Sequence, residues 1–247
     1  MRMVGKFLLK ALARIGMLVA GVILLFVLCG AWHEINMTRT EEWNYDKNAQ
    51  GTITVTKYKG DDEHVVIPAE LDGLPVTRLE MIGMFDVFRY DGYPAVREIT
   101  LPATMTENVD DALYYFRHLE NVYVAEGNPA CASCDGVLCT VDGATMLRLP
   151  GLRTEWEAPE GTLVIGDGFA GGHKHLQRVV LCEGVTTIET FAFVQCDNLV
   201  EAVVPASVVS IGEYAFAQCP QLTMVVVEGS VAHSYAVENG IPCRLAE

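Results

Sequence analysis

Basic residues are scarce. The chain has 247 residues, with 17 Lys and Arg against 32 Asp and Glu, a net charge of −15. That balance excludes nucleic-acid binding as a function class, because phosphate contacts need clustered cations that release counterions. Aromatic residues make up only 9%, and eight cysteines are too few for a small disulfide-stapled scaffold. The usual signatures of hydrolases and nucleotide enzymes are missing: there is no G-x-S-x-G elbow, no P-loop and no H-E-x-x-H. Apolar residues are not scarce. At 51% they exclude a disordered or collagenous chain and allow a sizeable core in one or two domains.

Charge of either sign is absent from Ile15 to Trp32, where 18 residues read IGMLVAGVILLFVLCGAW. That is about the length that crosses a hydrocarbon layer of about 30 Å. Arg2, Lys6, Lys10 and Arg14 are the only charged residues before Glu34. The rest of the chain therefore has 13 basic and 32 acidic residues, a net −19. The basic head is expected inside and the acidic body outside. Two readings of the apolar run stay open: an uncleaved single-pass anchor, or a signal removed after Ala31 that leaves a secreted protein.

Beyond it the chain repeats. Leu176, Leu199 and Leu222 are each 23 residues apart, as are Val179, Ala202 and Val225. Val185 and Val208, Ile188 and Ile211, Phe193 and Phe216, and Cys196 and Cys219 keep that step of 23. Each L-x-x-V-x-L segment predicts a short strand with alternate side chains inward. An apolar-Pro step such as Leu101-Pro102 or Val204-Pro205 then turns the chain at the strand end, where a missing N–H is tolerated. One coil cannot bury its own apolar face, so the coils must stack as a solenoid, mainly β with short helical turns.

The segments IGEYAFAQCPQLTMVVV, TIETFAFVQCDNLVEAVVP and VIGDGFAGGHKHLQRVVL resemble bacterial surface leucine-rich repeats of the BspA-like type. The resemblance implies a leucine-rich-repeat solenoid behind the transmembrane helix, and a non-enzymatic role without cofactors. It also implies adhesion to proteins on host or neighbouring-cell surfaces. In this sequence Cys182 takes the place of the repeat's proline, Gly172 that of its cysteine, and Phe169 is one residue off its column. The expected layout is a head and membrane segment over 1–32, a polar spacer over 33–51, and the solenoid over 52–247. Within the solenoid the N-cap covers 52–66 and repeats cover about 67–124. A hairpin projecting from the solenoid covers 125–157, signalled by Asp142-Gly143. Repeats resume over 158–227, and the cap over 228–247 contains a short helix from Ser230 to Asn239.

Three motifs invite chemistry. Gly166-Asp-Gly168-Phe-Ala-Gly171 fits G-x-G-x-x-G, but the repeat accounts for it and no long amphipathic helix follows. Cys131-x-x-Cys134, with Cys139 nearby and His173 and His175 later, reads as small buried apolar cysteines with free thiols, as a disulfide between Cys131 and Cys134 or, in a competing reading, as an exported metal- or thiol-dependent enzyme. A purely structural envelope component is the third reading. The protein-binding candidates are the outward strand positions, expected to form a concave column. Its centre would be Thr100, Tyr123, Val180, Val203 and Val226. Arg178, Glu201 and Met224 would run beside it, together with Glu98 and Asn121.

Overall fold

In the computed structural model the described residues are 38–39, 42–80, 93–107, 109, 113 and 116–246. The expected membrane segment Ile15–Trp32 lies outside them, and among the described residues no helix is long and apolar enough to cross a membrane. The strands in the first part are β1 (Thr38–Arg39), β2 (Trp43–Lys47), β3 (Ile53–Tyr58), β4 (His64–Val66), β5 (Glu70–Leu71), β6 (Leu74–Leu79), β7 (Glu98–Leu101) and β8 (Asn121–Val124). They are followed by β9 (Cys131–Cys134), β10 (Val137–Thr140), β11 (Thr145–Arg148), β12 (Glu155–Glu157), β13 (Val164–Ile165), β14 (Arg178–Val180) and β15 (Thr187–Ile188). The chain ends with β16 (Glu201–Val204), β17 (Ser210–Ile211), β18 (Thr223–Val226), helix α1 (Val231–Glu238) and β19 (Cys243–Leu245).

The coils stack as parallel ladders, except where β9, β10 and β11 pair antiparallel at one end of a wall. One wall has the order β12-β14-β16-β18-β19 and the facing one β17-β15-β13-β11-β10-β9. In the first half, β4, β7 and β8 continue the ladder pattern. Inward columns are fully buried, among them Leu176, Leu199, Val179, Ala202, Ile188 and Phe193, all 0% exposed. Each large apolar side chain so buried contributes about 1.5–3 kcal/mol. Cys182 does what proline does elsewhere: its carbonyl closes the turn to Val185 N, as Pro205 O does to Val208 N. The Phe169 offset is an exchange with Ala170. Gly168 N bonds Thr190 O just as Phe191 N bonds Glu213 O, so Ala170 stands in the column of Phe193. Both columns face inward, and Phe169 packs on Trp156 and Phe193 at centroid distances of 4.8 and 5.9 Å.

Three expectations change. Part of the supposed polar spacer is sheet, because β2 pairs antiparallel with β3 and buries Trp43 and Tyr45. Its alternation of Trp43, Asn44 and Tyr45 is the period of a half-buried strand. The insert does not project. β10 pairs with β9 and β11 inside the wall, with Val137, Leu138 and Cys139 all 0% exposed. Val137 and Cys139 belong to the C-terminal core and Leu138 to the N-terminal one. A strand buried on both faces reads as a continuous apolar run, here Val137-Leu138-Cys139.

The cysteine pairing also differs: the disulfide joins Cys134 to Cys139, not to Cys131. Cys131 and Cys134 are three apart on one strand, so their side chains leave opposite faces. Cys139 pairs with Ala132, two residues from Cys134, and so lies diagonal to Cys134 on the same face. At the end, Ser230 caps α1, its hydroxyl accepting from His233 N at 3.1 Å, and Ala232 and Ala236 close the last coil.

Candidate protein-contact face

The outward positions of the strand ladders form two rows. In the first, His64, Glu98 and Asn121 stand in register on β4, β7 and β8. It resumes with Glu155, Arg178, Glu201 and Thr223 on β12, β14, β16 and β18. The second row holds Val66, Thr100 and Tyr123, then Glu157, Val180, Val203 and Val225. Parallel in-register pairing brings each of these residues above its counterpart one coil away.

Met224 and Val226 are not on this face. Both are 0% exposed and point inward, while Thr223 and Val225 take their places. Leu199 to Leu222 is a step of 23, but Glu201 pairs with Thr223, a step of 22. Val200 is the residue without a counterpart, and it is 50% exposed. Side chains alternate along a strand, so a one-residue slip exchanges the faces. Val225 itself is only 6% exposed, because β19 pairs alongside β18.

The first row is an ion and hydrogen-bond ladder. Glu98 accepts from Asn121 Nδ2 at 3.1 Å and from the Tyr123 hydroxyl at 3.2 Å, with His64 Nδ1 at 3.7 Å. Arg153 Nη2 donates to Asn121 Oδ1 at 3.1 Å and to Asp135 O at 2.7 Å, filling the step between β8 and β12. Further on, Arg178 Nε donates to Glu201 Oε1 at 2.9 Å and Arg244 Nη2 to Glu201 Oε2 at 2.6 Å. These two guanidiniums, that of Arg244 first, hold the Glu201 carboxyl below the usual carboxylate range. Thr100, Val180 and Val203 are half-buried beside this ladder and Tyr123 is exposed. The face is thus a β-branched and aromatic stripe bordered by fixed, paired charges. Arg244 lies outside the repeat columns, and Arg153 stands 23 residues before Leu176 as a cation in a leucine column, so the 23-residue period carried no signal for either. His64 pairs with Glu98 across a step of 34, so the period did not reach it either.

The residues of the enzymatic alternative do not assemble. His173 is 6% exposed, its Nε2 bonds Pro150 O at 2.8 Å, and its Nδ1 accepts from Leu176 N at 3.0 Å. Burial pushes its pKa down to about 4, so the ring is neutral with both nitrogens used. It stands in the column of Cys196 and Cys219, 23 residues before the first. The column's role is shared: Cys196 Sγ donates to Ala170 O at 3.2 Å and Cys219 Sγ to Phe193 O at 3.1 Å. His173, rather than Gly172, therefore replaces the repeat's cysteine, as a donor to a neighbouring coil. His175 is exposed and Cys134 is consumed in the disulfide. Among the described residues no three His, Cys, Asp or Glu side chains converge as a metal site.

The BspA type leucine rich repeat region matches residues 153–239 in 6 copies. No curated protein matches the chain. Among solved structures it is similar to a leucine rich cell surface protein of Faecalibacterium prausnitzii. That match has 22% identity, a TM-score of 0.41, and coverage of 77% of this chain and 54% of that one. A leucine-rich repeat protein of Eubacterium ventriosum matches at 15% identity and TM-score 0.47, over 77% of this chain and 71% of that one. The pneumococcal vaccine antigen PcpA matches at 15% and 0.41, over 77% and 81%. The chain spans about half the length of the Faecalibacterium protein.

Proposed function

We propose that this chain, whose residues 153–239 form a BspA-type leucine-rich repeat region, is a non-enzymatic binding protein held at the outer side of a cell membrane. Its partners are proteins on host or neighbouring-cell surfaces. The observation that carries this reading is the strand face itself. Val180 and Val203 stand outward in register on adjacent strands, beside the Arg178–Glu201–Arg244 ladder. Apolar stripes rimmed by polar groups are how protein contacts are built, and rigid ladders lower the ordering cost of binding. The charge-free run behind four basic residues supports the topology, with the −19 body outside.

Two measurements test the reading. Proteins retained from host-surface extracts by the full chain should be lost with Val180→Asp/Val203→Asp, while circular dichroism still reports a folded domain. Retention of the same proteins by both forms refutes the face. An impermeant protease added to intact cells should degrade residues 33–247. Full protection would place the body inside and refute the surface reading.

A further inference from the structure

A second surface lies on the turn side of the coils, away from the strand face. Phe191 and Tyr214 occupy one column, 23 residues apart, and stack with centroids 5.6 Å apart and planes 7° from parallel. They remain 43% and 59% exposed. Their backbones sit at φ 56° and 57°, where an L residue pays and glycine does not. The preceding coil has glycine in that column: Gly168, φ +58°, where an added Cβ would meet nothing within 4 Å. The fold thus accepts the column without a side chain, and the stack ends in open space above Gly168. The ring face of Phe191 turned away from Tyr214 looks along the column into that space.

Glu189 and Thr190, just before Phe191 in the chain, line a shallow groove of about 360 Å³ together with Asp167, Ser210 and Gly212, with no Lys or Arg in its lining. Glu213 is exposed next to Tyr214, and Asp167 and Glu189 are exposed too. The Glu189 carboxylate accepts from Asp167 N through one oxygen, at 2.9 Å, which leaves the other available. The eight ion pairs among the described residues use none of these three carboxylates. Arg148 is turned to Gly168 O at 2.7 Å and lines a separate cavity with Leu149 and His173.

We propose that the Phe191–Tyr214 stack, flanked by Asp167, Glu189 and Glu213, docks an arginine-bearing segment of a partner protein, one guanidinium lying on the open face of Phe191 above Gly168. A guanidinium is planar, weakly hydrated and stacks on aromatic faces, and its fork fits a carboxylate. Charge complementarity selects this occupant, since the exposed carboxylates of Asp167, Glu189 and Glu213 neighbour two exposed rings, and the nearby Arg148 guanidinium is turned to Gly168 O. The surface is independent of the strand face. One can fail without the other.

The test is fluorescence polarisation of the purified full-length chain with a short labelled peptide of alternating Arg and Gly. A Glu-Gly peptide and a neutral oligosaccharide serve as competitors. Phe191→Gly/Tyr214→Gly is the main variant, since Gly168 shows that this column folds with glycine, and Phe191→Leu keeps bulk without the π-face. The Arg peptide should bind in a salt-sensitive way, about tenfold more weakly to either ring variant. The proposal is overturned if the ring variants bind the Arg peptide as wild type does, if the Glu peptide competes equally, or if only the oligosaccharide shows ring-dependent binding.

Discussion

His173 is a buried base kept neutral. Its ring is bonded to a carbonyl on one side and two backbone amides on the other, and burial lowers its pKa from 6.5 to about 4. The sign follows directly. The unfolded chain binds the proton near pH 6.5 while the folded chain resists it, so stability is full above that pH and falls as pH drops towards 4. The loss across that window should be about 3 kcal/mol. Urea midpoints taken between these pH values should show it in wild type, and His173→Gln should flatten the fall. Equal slopes in both proteins would mean that His173 is not the titrating group. The Glu201 carboxylate, lowered by Arg244 and Arg178, loses its contribution only at more acidic pH. The same scale separates two neighbouring hydrophobes. Met224→Asp places a carboxylate at a position 0% exposed and should unfold the last coil, costing more than 3 kcal/mol by rough estimate. Val203→Asp, outward and half-buried, should remain folded, as read by thermal melting.

Among the elements, the hairpin of β9 and β10 matters most. Its tight turn is Asp135-Gly136, at φ 52° and 74°, a left-handed pair that sets the register of both strands. Gly136 O also accepts from Val122 N at 2.8 Å, tying the hairpin to β8. An alanine Cβ there would sit 2.3 Å from Asn121 Oδ1 and 2.9 Å from Arg153 Nη2. Gly136→Ala should therefore cost about 1–3 kcal/mol through backbone strain, and more if the Asn121–Arg153 bond breaks. A urea midpoint unchanged from wild type would show that the turn adapts. The Cys131-x-x-Cys134 spacing suggests a pairing that strand alternation forbids, whereas the Asp135-Gly136 turn brings Cys134 and Cys139 to one face. The later Asp142-Gly143 signal lies between β10 and β11, which do pair antiparallel. Both signals were present, as was the apolar run Val137-Leu138-Cys139, and what sequence did not show was which cores would cover its two faces.

For the molecule as a whole, that doubly buried strand joins two cores. Trp43 belongs to the N-terminal cluster and Trp156 to the C-terminal one. Solenoids can unfold piecewise, but a shared wall raises the cost of separating the halves. Single-tryptophan variants reporting from Trp43 and from Trp156 should give coincident urea transitions. Two separated midpoints would show that the halves fold independently and that β10 couples them weakly.

Sequence by itself determined the coil period, the inward columns and the helical cap, because burial of an apolar face leaves a periodic trace in the residues that make it. Thr100, Val180 and Val203 could be placed outward for that reason, since they sit between inward positions of well-matched coils. Tertiary structure decided what depends on a single residue of register or on chain distant in sequence. Met224 and Val226 turned inward because Val200 has no counterpart in the last coil. Cys139 captured Cys134 because a two-residue turn set them on one face. Arg153, a cation in a leucine column, and Arg244, from outside the repeat, completed the ion ladder. A strand has a period of two, so one residue exchanges inside and outside, and only the pairing of neighbouring coils selects between them.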